Sequence, residues 1–312
     1  MNDPKFVAKQ YETDQHLQTR IRTHQLYSVG TNLEEGVDQV LKLESQESLL
    51  DIGTGPGIFP TRLRISGHTG RLVGVDFSSG MLEVARAKTD QVEWLQANAM
   101  ELPFADSSFD VVTARHMLYH VPDMNKALQE AKRVLKPNGR FLAVTNDDGY
   151  MLEFWNTVIE AVRDDSEFVF LIHEMLNRQF FSAHLEQQIQ AVFGNSTFTR
   201  LEALLEFSNI QPVLEYWDSI QPSYDISDTA WTRGREVLSR VLETRFANGV
   251  WRVTKNVAII TARAQTSQSQ NSKTEAERNA LQLEEAARRY EELQSGEVQR
   301  VTDEAWKRSR DS

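Results

Sequence analysis

Apolar positions along the first half of the chain follow two alternating rhythms. Short apolar runs at Ser48–Ile52, Arg71–Val75, Val92–Gln96, Phe109–Ala114 and Arg140–Thr145 read as strands buried on both faces. Between them, apolar residues recur at helical spacing. Val37, Val40, Leu41 and Leu43 lead into the first strand, and Ile58, Leu63 and Ile65 are expected to face inward after it. Ser78 or Ser79 caps a helix through Lys88. Asp123 opens another to Leu135, with Ala127, Leu128, Ala131, Val134 and Leu135 as its apolar face. Pro137-Asn138-Gly139 then turns the chain into the fifth strand. Strands alternating with helices predict a parallel sheet with right-handed crossovers.

The flanks read differently. Residues 1–40 suggest helices, with Tyr11, Leu17, Ile21, Leu26 and Tyr27 available to pack. Residues 150–195 are helical in pattern and rich in Phe and Met, whereas Val213–Trp217 and Asn256–Ala262 are expected as a sixth and a seventh strand. Beyond Ala264 the run QTSQSQNSKTE is a polar linker, and Glu275–Leu293 is a charged helix former supported by Glu284–Arg288 and Glu285–Arg289 pairs. Its apolar residues (Leu281, Leu283, Tyr290, Leu293) are too few to build a domain. The expected division is a helical cover at 1–40, a core at 41–149, a helical cap at 150–200, strands completing the sheet at 201–264, and a linker with charged tail at 265–312.

Composition narrows the class. A chain of 312 residues with 40% hydrophobic content suits one large α/β domain with additions. A net charge of −11 argues against broad electrostatic binding to nucleic acid or anionic membrane. The chain has no cysteine, which excludes disulfides, thiolate catalysis and cysteine-held metal clusters. No stretch approaches the ~20 apolar residues of a membrane helix. The opening MNDPKFVAKQ lacks the apolar core of a secretory signal. The expected location is cytoplasmic.

Candidate chemistry begins at LLDIGTGPG, Leu49–Gly57. A buried strand ends in Asp51 and breaks at Gly53, Gly55 and Gly57, residues that tolerate positive φ and let backbone approach a ligand. The next strand delivers Asp76, placed to accept hydrogen bonds from a ribose diol. A dinucleotide is the natural competitor, but Pro60 stands where that fingerprint expects a third small residue. The downstream blocks LPFADSSFDVVTARHMLYHVPD (102–123) and RVLKPNGRFLAVTN (133–146) sharpen the choice. With the glycine turn they resemble the class I S-adenosylmethionine-dependent methyltransferases, particularly the broad bacterial group acting on small molecules. The resemblance is strong over about residues 40–150.

That resemblance implies a Rossmann-like, seven-stranded, mostly parallel sheet with one antiparallel strand, a helical N-terminal cover and a helical cap. It implies S-adenosylmethionine as cofactor, held by Asp51, Gly53, Thr54, Gly55, Gly57, Asp76, Phe77, Met81, Asn98, Ala99, Met100 and Arg115, with Tyr11 and Arg20 folded over it. Thr54 and Asn98 depart from the Cys or Ser and the Asp usual at these positions, although an Asn oxygen still accepts a hydrogen bond. The plain alternatives are a loop asparagine for Asn98, core packing for Met81 and surface positions for Tyr11 and Arg20. His116 and His120, four apart after the fourth strand, are candidate general bases, with backbone-bonded structural histidines as the alternative. No metal is expected, because no third ligand is in view. Missing Cys and a missing Asn/Asp-Pro-Pro-Tyr motif disfavour methylation of cytosine carbon and of exocyclic base amines. The carboxylates Asp147 and Asp148 do not make a magnesium site, since Arg115 occupies the matching position after the fourth strand. The expected function is methyl transfer to an oxygen or nitrogen of a small molecule. The alternatives are a protein or RNA acceptor, or a non-catalytic scaffold. Oligomeric state is left open.

Overall fold

A computed structural model describes residues 14–177, 181–247 and 249–265. Tyr11, the polar linker beyond Gln265 and the charged run Glu275–Leu293 lie outside the described residues.

The central sheet is formed by β2 (Leu49–Ile52), β3 (Leu72–Asp76), β4 (Glu93–Gln96), β5 (Phe109–Arg115), β6 (Leu135–Asn146), β7 (Thr197–Leu201) and β10 (Val257–Arg263). Their order is β4-β3-β2-β5-β6-β10-β7. Pairs from β4 through β6 are parallel, and β10 runs antiparallel to both β6 and β7. This is the expected seven-stranded sheet with one reversed strand. Residues alternate between its faces as the pleat demands. Leu49, Val111, Leu142 and Ile259 pack under α2 (Leu33–Leu41) and α3 (Ile58–Ile65), through Val37, Leu41, Phe59 and Leu63. Leu50, Val112, Phe141 and Ile260 pack under α5 (Met124–Val134) and α8 (Phe181–Phe193), through Leu128, Ala131, Leu185 and Phe193. The helix after β3, α4 (Ser79–Lys88), is capped by Ser78, whose hydroxyl accepts from the Met81 amide. Asp123 caps α5 in the same way at Lys126.

Several expectations are corrected. Val213–Trp217 is not a strand but the middle of α9 (Gln211–Ile220). Pro212 opens that helix, and Val213, Trp217 and Ile220 recur on one buried face. The sixth strand is instead β7. Ile58 and Ile65 point outward, at 40% and 82% exposure, and Phe59 with Leu63 supplies the inward face of α3. Leu26 is exposed too. The turn at Pro137–Gly139 is absorbed into β6, with Asn138 left-handed at φ 63°.

A second core lies outside the sheet. The helix α1 (Asp14–Tyr27) runs into β1 (Ser28–Gly30), which pairs antiparallel with β8 (Ala203–Phe207) and through it with β9 (Trp251–Thr254). Against this small sheet pack α6 (Leu152–Val162), α7 (Val169–Asn177), α9 and α10 (Asp228–Arg245). Trp217 and Trp231 stack at 4.0 Å at its centre, with Phe168 at 6.0 Å from each. Helical residues after β6 therefore divide between two destinations. α6 and α7 join this second core, whereas α8 returns to the central sheet.

Candidate cofactor and acceptor site

Five chain segments converge at the carboxyl ends of the parallel strands. β2 ends at Asp51, which is buried and accepts hydrogen bonds from Thr54 Oγ1 at 2.8 Å and Thr113 Oγ1 at 2.7 Å. Burial pushes its pKa up, opposed by the charge of Arg115 and then by the two hydroxyls. Asp51 thus braces the turn that follows it. Gly53 sits at φ 66°, and a β-carbon there would lie 2.6 Å from Met117 Cβ. Above Gly55 the space is open, and its amide donates to Asp76 Oδ2 at 2.8 Å. Gly57, at φ 70°, begins α3.

Asp76 ends β3. Its second oxygen accepts from the Ser78 amide at 2.9 Å, so both oxygens are fixed by backbone donors. Burial raises its pKa against the pull of those amides. Phe77 beside it is 61% exposed, whereas Met81 is buried. Asn98 Oδ1 accepts from the Met100 amide at 2.9 Å, closing its own turn, and Ala99 and Met100 pack on the sheet core.

Arg115, at the end of β5, pairs with Glu34 in the first turn of α2 and stacks over Phe59 at 4.3 Å. Its Nε is buried without a hydrogen-bond partner among the described residues. His116 follows with φ 52°, a conformation uncommon for a residue with a β-carbon, and its amide donates to Val144 O at 2.8 Å. The two histidines do not share a helical face. His116 closes a strand, and His120 ends a short 3-10 turn, Leu118–His120, with its ring on Tyr119 at 4.4 Å. Burial, then Arg115, Lys255 and His120, lower the His116 pKa to about 3.

Opposite them stands α1. His24 Nε2 meets the Tyr150 hydroxyl at 2.9 Å, and the His24 ring lies edge-on to Tyr216 at 5.6 Å. Burial, then Lys255, His116 and Arg20, lower the His24 pKa to about 3, while burial holds the Tyr150 hydroxyl protonated. Arg20 reaches the second core, donating to Ser219 O at 2.8 Å. His24, His116, Tyr119, His120 and Tyr150 all keep some exposed surface, although burial governs the ionisation of His24, His116 and Tyr150, as expected for the walls of a crevice. Asp147, after β6, is taken up by Arg200 and by Ser182 Oγ at 2.8 Å. Among the described residues no three His, Asp or Glu side chains are grouped to hold a metal ion.

Sequence reasoning missed Tyr150, Tyr216 and Lys255. Tyr150 was within reach, because it follows the fifth parallel strand at its carboxyl end. Lys255 was too, since a reversed strand must begin at that same edge. Tyr216 was hidden by the strand reading of its segment.

A family described as "Methyltransferase domain" matches residues 50–143. A demethylmenaquinone methyltransferase of Lactococcus lactis is 45% identical over 103 residues, 31% of this chain and 41% of that protein. The uncharacterized methyltransferase YcgJ of Bacillus subtilis is 37% identical over 145 residues, 42% of this chain and 56% of that protein. The crystal structure of YcgJ aligns at TM-score 0.46 and 20% identity over 75% of this chain and 98% of that one. The chain spans about half the length of the curated relatives it matches, 41% of the first and 52% of the second. Within that span the glycine turn, Asp76 and the ends of β4 and β5 all fall inside the matched segment, and residues 50–143 are similar to a methyltransferase domain.

Proposed function

We propose that the chain transfers a methyl group from S-adenosylmethionine to an oxygen or nitrogen of a small molecule bound between the strand ends and the second core. The observation that carries this reading is the cradle at β2 and β3. The open space over Gly55, the braced Asp51 and the two fixed oxygens of Asp76 fit a nucleoside, and the buried, unpartnered Nε of Arg115 fits a carboxylate beside it. When bound, the cofactor supplies a methyl group already activated by its sulfonium. The chain's own work is then to bind, align and exclude water.

Asp76 is assigned the ribose hydroxyls, Phe77 and Met100 the adenine faces, and Arg115 with the Gly53–Gly57 amides the methionine end. Met117, packed on Gly53, and the rings of His24, Tyr119 and Tyr150 line the acceptor side. His116 stays neutral down to about pH 3, so it can orient a hydrogen bond but is a weak proton acceptor. No helix among the described residues is long and apolar enough to cross a membrane. A small acceptor in a cytoplasmic setting suits that and the charge of −11.

A second reading is methylation at a quinone ring carbon. The names of relatives favour it, including the ubiquinone/menaquinone biosynthesis C-methyltransferase of Haemophilus ducreyi, 43% identical over 105 residues. Methyl-labelled S-adenosylmethionine incubated with panels of phenols, carboxylates, amines and reduced quinones separates the readings. Label in an O- or N-methyl product supports the first. Label only on ring carbon supports the second, and label only in protein or RNA contradicts both.

A further inference from the structure

Lys255 lies between β9 and β10, where the reversed strand starts beside the carboxyl end of β6. There Val257 pairs with Asn146, and Asn256 O accepts from the Asp147 amide at 3.0 Å. Its Nζ donates to Ser28 Oγ at 2.6 Å, and that hydroxyl donates onward to His24 O at the end of α1. The ammonium is half-buried, and burial lowers its pKa. Among the described residues it has no carboxylate within ion-pairing distance.

The groups around it carry no negative charge. His24 from α1 and His116 after β5 lie within its reach, and Arg20 and Arg115 act on those two rings in turn, while Tyr150 from the loop after β6 is hydrogen-bonded to His24. His24 and His116 both feel Lys255 as a repelling charge, and no carboxylate acts on either of them. Four carboxylates of neighbouring segments have partners of their own, among them Asp148, which accepts from Ser182 Oγ at 3.0 Å. Glu34 holds Arg115, and Asp147 holds Arg200 and Ser182. Glu153 accepts from the Thr254 amide and hydroxyl, both at 2.7 Å. One ammonium therefore lies near two neutral imidazoles in a partly desolvated wall. An unneutralised buried charge is costly, and an anion placed beside it offsets that cost, whereas a second cation adds to it.

Taking the crevice as the acceptor site, we propose that Lys255, with His24 near it and Tyr150 hydrogen-bonded to His24, forms an oxyanion subsite that binds the methyl acceptor through an ionised oxygen and rejects amines. A hydroxyl acceptor then gives up its proton to solvent on binding, because the ammonium favours the anion, and no strongly basic side chain is required. Lys255 and His24 both lie outside the matched segment, residues 50–143.

The test uses the full chain saturated with S-adenosylhomocysteine and 4-nitrophenol as probe, at a pH near the probe's own pKa, following phenolate absorbance. The wild type is expected to bind the phenolate preferentially, so absorbance rises on binding, and benzylamine should not compete. Lys255→Met should weaken probe binding by about tenfold and abolish the rise, and Tyr150→Phe should weaken it less. Lys255→Arg, which keeps the charge, should retain the rise and covers the case in which the Met variant fails to fold. Absence of probe binding, binding without an absorbance change, or an unchanged response in Lys255→Met each overturns the subsite. If the wild type does not bind S-adenosylhomocysteine by calorimetry, the methyltransferase reading fails instead. Unaltered cofactor binding with an indifferent probe sinks the subsite alone.

Discussion

Around the sheet, each strand from β2 to β6 is followed by segments that pack beside it, and the proposed cofactor residues sit at successive strand ends within residues 50–143. The second core is assembled from pieces far apart in sequence: α1 and β1 near the start, α6 and α7 after β6, and β8, α9, α10 and β9 near residue 250. The first region is built of local units and is shared with many relatives. The second is aromatic, non-local and outside the matched segment. The difference separates two tasks. On the proposed reading, local units place the cofactor, and the non-local core supplies the wall that faces the acceptor.

The largest expected effect breaks the second region alone. Trp217 is fully buried and stacks on Trp231, so Trp217→Ala should cost about 3–5 kcal/mol of stability. If the two regions divide their tasks as described, the folded fraction of that variant should still bind S-adenosylhomocysteine within a few-fold of wild type. Chemical denaturation followed by calorimetry checks both halves. A collapse of cofactor affinity in protein still folded would show that the second core helps to hold the cofactor.

Next in size is the cofactor region's own weak point. Asp76→Ala removes a carboxylate that meets the Gly55 and Ser78 amides and, on this account, two ribose hydroxyls. Cofactor affinity should fall about tenfold or more, roughly 1.4 kcal/mol. Near-wild-type affinity in a folded variant would displace Asp76 from the ribose role.

The contrast between the regions also explains what was legible in the sequence. β2, β3, β5 and β6 announce themselves as apolar runs because helices cover both faces of a parallel sheet. Asp51, the glycines and Asp76 are readable because they stand at the ends of those runs. The segment Val213–Trp217 misleads because its apolar residues are nearly contiguous. Only the aromatic core built from α6, α7 and α10 reveals that Val213, Trp217 and Ile220 form a helical face. His24 and Tyr150 are 126 residues apart, and no local pattern predicts that they share a hydrogen bond.

A smaller effect follows from the crevice histidines. The unfolded chain protonates them near pH 6.5, but the folded protein does so only near 3. Between those values the unfolded state binds more protons, so stability is full above about pH 6.5 and falls as pH drops. Each histidine contributes up to about 1.4 kcal/mol per pH unit within that window. Melting temperature should therefore decline between about pH 6 and pH 4, and less steeply in His24→Gln and His116→Gln. Equal slopes in all three proteins would show that these rings are not held neutral by the fold.

The smallest effect concerns residues beyond Gln265. Their polar linker and sparse apolar content cannot supply a core. A chain ending near Gln265 should melt within a few degrees of the full protein and bind cofactor equally well. A large drop in melting temperature would make the tail an integral element.

On the proposed function, the glycine turn and Asp76 hold an adenosyl cofactor. Calorimetry of the wild type against S-adenosylmethionine, S-adenosylhomocysteine and NAD tests it most directly. Both adenosyl ligands should bind with micromolar-order affinity and NAD should not bind. Binding of NAD with no binding of either adenosyl ligand would contradict it.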